Sequence, residues 1–273
     1  MEPQVQSARR ADALQQLVRR RSARLAVAGW LACLLALAVP PHARATDSDC
    51  AIRDSVLVHG SRQSRHVALT FDACPTSHVP GFSPAIVEYL MREQVPATFF
   101  ISGRWAETHP RELAQLQAVP FFELALHGYR HHKLIGASEA AIVAEIQDGQ
   151  KALIRLGAQP RALFRPPFGD QPHVLAVSAR RTGVTPVLWD VAPGDPNPKE
   201  TAADIERDIL HRVHGGSIIV LHVNGRGVGT ADALPAVVAH LRERGFGFAT
   251  VSELLQECLR TTTQPTVNSS VQP

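Results

Sequence analysis

Aromatic side chains are scarce in this chain, 5% of 273 residues, and no internal repeat makes up for them. A long stacking surface for a polymer is therefore not expected. A large excess of one charge is missing too. The formal net charge is +3, but residues 1–45 hold seven of the 28 basic residues and two of the 25 acidic ones, leaving 21 against 23, a net of −2. No basic face for nucleic acid follows from that balance. The apolar run "LAVAGWLACLLALAV", residues 25–39, falls short of the about 20 residues that span a bilayer.

What is present explains that run. It lies between "RRRSAR" and Ala43-Arg44-Ala45, which together describe a secretory signal peptide over residues 1–45. An uncleaved signal anchor is the alternative, and it would be the sole membrane contact. Export implies a secreted, periplasmic or cell-envelope protein. Removal of the leader would leave Cys50, Cys74 and Cys258, an odd number in an oxidising compartment. One disulfide and one free thiol are expected, with the pairing open.

From residue 66, short apolar runs alternate with amphipathic stretches. The strand candidates are residues 66–71, 97–102, 122–127, 162–166, 184–189, 217–222 and 247–251. Each suits a strand covered on both faces. Helices are predicted from Ser83-Pro84, Ser138, Pro172, Thr201, Thr230 and Ser252. About seven βα units argue for parallel strands wrapped by helices, in a single α/β domain over residues 66–258. A (β/α) barrel related to the TIM barrel suits that length, although periodicity alone also fits an open sheet. Residues 46–65 form a lead-in, and residues 259–273 are expected to be a disordered tail.

Barrels of this kind gather functional groups where strands end. Asp72 follows the first strand, His127 ends the third and Arg165 lies in the fourth. Asp190 and Asp195 follow the fifth, and His222 ends the sixth. In "HGYRHH", His127 and His131 are four apart, close enough for both rings to face one point and to suit zinc or another borderline divalent ion.

"TFDA", "HGYRH", "RPPFG", "WDVAPGDP" and "IVLH", in that order, resemble the five motifs of the polysaccharide deacetylases, also called carbohydrate esterase family 4 or the NodB-homology domain. The resemblance implies a distorted (β/α)7-type barrel and metal-assisted removal of acetyl groups from an amino-sugar glycan such as peptidoglycan. It makes Asp72 the general base and His222 the general acid. His127 and His131 become ligands of a divalent ion, zinc or cobalt among the candidates. Arg165 pairs with the catalytic Asp, and Asp195 holds the acid His, with Asp190 the competing choice. Pro166-Pro167-Phe168 and Trp189 line an apolar groove wall.

Two departures stand out. The family commonly reads T-F-D-D, the second Asp being a third metal ligand, whereas this chain has Ala73; Pro196 stands where a groove Trp is common. The vacant coordination position is left to water, to Cys74 or to His78. The other reading is a metal-poor, glycan-binding relative with little or no activity.

Overall fold

The computed structural model describes residues 50–53, 55–76 and 81–263. The expected signal segment, His78 and residues 264–273 lie outside them. Among the described residues nine strands form: β1 (Ala51–Arg53), β2 (Val56–His59), β3 (His66–Ala73), β4 (Ala97–Ile101), β5 (Phe122–Leu126), β6 (Leu163–Phe164), β7 (Thr185–Pro186), β8 (Ile218–His222) and β9 (Gly247–Phe248). The helices are α1 (Pro84–Arg92), α2 (Gly103–Thr108), α3 (Pro110–Gln117), α4 (Glu139–Arg155), α5 (Leu175–Thr182), α6 (Ala202–Arg212), α7 (Thr230–Glu243) and α8 (Val251–Thr263). Among the described residues no helix is long and apolar enough to cross a membrane.

All seven expected strands enter one parallel sheet in the order β7-β6-β5-β4-β3-β8, with β9 on β3. Two backbone bridges curl it toward closure, Val191 to Ile219 and Leu57 to Val187. The result is the distorted barrel, not the open sheet. The lead-in is more than a spacer, because β1 and β2 pair antiparallel and Leu57 joins the barrel interior.

The period-two alternation of β3 decides what faces where. Val67, Leu69, Phe71 and Ala73 join the cluster beneath the helices. Ala68 packs with Phe100, Ala125, Leu163 and Ile218 inside the barrel. Thr70 and Asp72 share its parity and are buried. A carboxylate thus emerges at the top of an apolar interior.

Several helical details differ from expectation. Helices α2 and α3 occupy a stretch where none is predicted, since His109-Pro110 breaks the periodicity between them. Thr201 forms a full capping box with Asp204. Thr230 is not the cap of α7, which is Gly229. The last helix reaches Thr263, five residues into the stretch expected to be a tail. It is tied down by a Cys50–Cys258 disulfide spanning 208 residues, which leaves Cys74 as a buried free thiol.

Candidate active site

Asp72 and His222 are register partners on the neighbouring strands β3 and β8. Both line a cavity of about 230 Å³ together with His127, His131, Trp189 and Arg226. Its floor is the top of the barrel interior.

Asp72 is held from two sides. Its Oδ1 accepts a 2.8 Å hydrogen bond from Arg165, and its Oδ2 lies 3.5 Å from His127 Nε2. Burial by itself pushes the carboxyl up, but Arg165, followed by His127 and His222, brings it below its ordinary value. Arg165 is completely buried and also donates to Thr70 Oγ1 (2.8 Å) and the Leu188 carbonyl (3.2 Å). Its Nε has no hydrogen-bond partner, but the guanidinium lies 3.9 Å from the Phe100 ring centroid. The ring face offsets part of the cost of that buried cation.

The "HGYRH" segment is folded into a compact loop by Glu145 of α4. One carboxylate oxygen accepts the backbone N–H of Tyr129, Arg130 and His131, at 2.9, 2.6 and 3.0 Å. Gly149 lets α4 approach, because a Cβ there would come within 2.5 Å of the Gly128 carbonyl. Gly128 and His131 both have positive φ, 75° and 61°. The turn brings the His127 and His131 rings to 4.8 Å between centroids, with Phe168 4.5 Å from His131 on its outer side.

His127 Nδ1 donates to the Arg165 carbonyl at 2.8 Å, leaving the Nε2 lone pair free to face the cavity. Burial lowers the pKa of His127 and, with help from His127, lowers that of His131 to about 3. Both imidazoles are therefore neutral and available as donors at neutral pH. One nitrogen from each lies, with Cys74 Sγ, in a trio of donor atoms all within 4.8 Å of one another. Two imidazoles and a sulfur suit a borderline divalent ion such as zinc.

His222 faces a second carboxylate. Its Nδ1 lies 3.0 Å from Asp195 Oδ1, and its backbone N–H donates to Asp195 Oδ2 at 2.8 Å. Thr230 Oγ1 donates to that same Oδ2 at 2.9 Å. Burial pulls the imidazolium down, but Asp195, joined by Asp72, outweighs it and the pKa of His222 ends above its ordinary value. Asp190 is engaged elsewhere, with Ser217, the Ile218 N–H and Arg62. Of the two candidates, Asp195 is the one on His222.

All six expected site residues thus meet around one cavity or directly support it. Glu145, Thr230 and Arg226 are additions that no motif announced. Cys74 is outside the disulfide with its sulfur close to both imidazoles, and Pro196 lines the cavity.

Residues 59–187 match the family model described as polysaccharide deacetylase. A peptidoglycan-N-acetylglucosamine deacetylase of Bacillus cereus is 30% identical over 200 residues, covering 72% of this chain and 70% of that protein. The solved structure of a peptidoglycan N-acetylglucosamine deacetylase superposes with a TM-score of 0.68 at 27% identity, over 74% of this chain and 93% of its own. A family 4 pseudoenzyme of Bacillus anthracis shares the fold, with a TM-score of 0.67 at 23% identity over 74% of this chain and 69% of its own. By its motifs, its sheet and its relatives, the chain belongs to the polysaccharide deacetylase family of carbohydrate hydrolases.

Proposed function

We propose that the protein is an exported, metal-dependent deacetylase acting on N-acetylated amino-sugar units of a cell-wall or related glycan. One observation carries this reading: a buried, ionised Asp72 and an Asp195-paired His222 share a cavity with two neutral imidazoles.

His127 and His131 would hold the ion, which when bound supplies acidification of water and polarisation of the acetyl carbonyl. The remaining work falls to the protein. Asp72 Oδ1 is committed to Arg165, so Oδ2 is the atom that takes a proton from the attacking water. Arg165 keeps that carboxylate ionised and fixes its direction. His222 is held through Nδ1 by Asp195, which leaves Nε2 to deliver a proton to the departing sugar nitrogen. The C–N bond breaks as that proton arrives, giving acetate and a free amine. Phe168 and Trp189, with Pro196, give the cavity an apolar wall against which an acetyl methyl can rest.

Acetate release from acetylated glucosamine oligomers and peptidoglycan fragments tests the reading, with O-acetylated glycan as a parallel substrate. Release is expected, abolished by a chelator and restored by zinc or cobalt. Glycan binding without acetate under any of these conditions would favour the binding-protein reading that Ala73 motivates.

Glu145 offers a separate check on the metal-holding loop. Glu145→Ala removes the acceptor of three backbone N–H groups and should weaken zinc binding by about 10–100-fold. Zinc titration by calorimetry measures it, and circular dichroism monitors the fold. Unchanged affinity would mean that the loop holds its shape without the Glu145 carboxylate.

A further inference from the structure

We propose that Cys74 is the third protein ligand of the metal, its sulfur taking the place that Ala73 leaves without a donor. The inference rests on the metal-dependent reading of this site and specifies how the ion is held.

Ala73 does not merely lack a donor atom. It closes β3 with its methyl buried in the helix-side cluster of Leu69 and Phe71, on the opposite parity from Asp72. The chain then leaves the strand, and Cys74 Sγ lies within 4.8 Å of donor nitrogens on both His127 and His131. Cys74 is only 1% exposed, so this placement is not that of a surface thiol near the cavity by chance. Its two described counterparts, Cys50 and Cys258, are joined to each other, which leaves Cys74 outside the disulfide.

The surroundings of the sulfur support the assignment. Asn224 Nδ2 bridges the Cys74 carbonyl at 2.7 Å and Sγ at 3.1 Å. Arg226, which lines the cavity, adds a nearby cation, while burial and the Asp72 carboxylate push the thiol up to about 11, so that it keeps its proton until an ion displaces it. A neutral thiol is a weak acceptor, whereas N–H donors and a nearby cation suit the negative sulfur of a metal thiolate. Such outer groups orient the ligand and temper its charge. On coordination the S–H proton leaves to solvent and the sulfur's electron pair goes to the ion. One sulfur and two imidazoles favour zinc or cobalt over the oxygen-seeking magnesium, calcium or manganese.

Cobalt(II)-substituted protein tests this directly. The wild type should show a near-ultraviolet thiolate-to-cobalt charge-transfer band, and Cys74→Ser should lose it. Zinc affinity should fall about 10–100-fold in Cys74→Ser and recover in part in Cys74→Asp, which has a carboxylate but gives no such band. X-ray absorption of zinc-loaded wild type should find one sulfur at about 2.3 Å, a measurement that needs no variant to fold. Absence of that sulfur, or a band that persists in Cys74→Ser, would overturn the proposal. Acetate release is scored on the same preparations. Release without sulfur ligation would sink the ligand and spare the deacetylase, while sulfur ligation without release would do the reverse.

Discussion

Asp72→Asn is expected to lower kcat/KM for acetate release by about 10²–10⁴-fold while zinc remains bound. The amide is nearly isosteric, so its oxygen can still accept from Arg165 at the 2.8 Å position. It has no basic atom for the water proton. The carboxyl of the native protein lies below its ordinary value, so the base is ionised throughout the neutral range and activity should fall only as pH drops into the acid region. The substitution also takes away the negative charge facing a fully buried guanidinium, a change that costs about 3–5 kcal/mol in comparable buried pairs. Assays should therefore run well below the unfolding midpoint, with zinc content and thermal melting measured on the same sample. Native-like turnover in that variant would remove Asp72 from the role of base.

Much of this fold was legible because parallel strands buried on both faces read as short apolar runs between helical patterns. All seven such runs enter the sheet. The N-terminal hairpin was not, since β2 is only four residues long and gains its meaning from the Leu57–Val187 bridge far along the chain. Helices α2 and α3 escaped because Gly103 and the His109-Pro110 junction interrupt the period. Thr230 looks like a helix cap by spacing, yet its hydroxyl serves Asp195.

Within the site, strand ends and motif order located Asp72, His127, Arg165 and His222. What organises them was hidden. Glu145 sits in the middle of an amphipathic helix, and nothing in that local pattern reveals a carboxylate that gathers three backbone donors 14 to 16 residues upstream. The choice between Asp190 and Asp195 was likewise undecidable by spacing. It depends on Arg62 and Ser217, which draw Asp190 away from the cavity. Cys74 depended on knowing which cysteines pair, and that is a matter of where α8 docks.

Asp195→Asn should have a comparable effect on activity but a different pH signature. Asp195 Oδ2 accepts from both the His222 N–H and the Thr230 hydroxyl, at 2.8 and 2.9 Å. An asparagine must put its one oxygen there to keep both donors satisfied. Its NH2 group then faces His222 Nδ1, where the native structure has a carboxylate oxygen at 3.0 Å. That contact requires Nδ1 to be unprotonated, so the doubly protonated imidazolium becomes unfavourable. The sign follows from the causes of the native shift. Burial lowers the His222 pKa, Asp195 and Asp72 together more than compensate, and without the Asp195 charge burial outweighs what Asp72 supplies. The native proton-donating form persists above the ordinary histidine range and is lost as pH rises through the raised pKa. In the variant it should be lost earlier, moving the alkaline limb of kcat/KM to lower pH. Turnover near pH 7 should drop by about 10²–10⁴-fold, as for other misprotonated acid–base histidines. A purely structural role for Asp195 would lower activity without moving the limb. The pH profile, recorded beside zinc content, therefore tells whether Asp195 acts through the proton on His222.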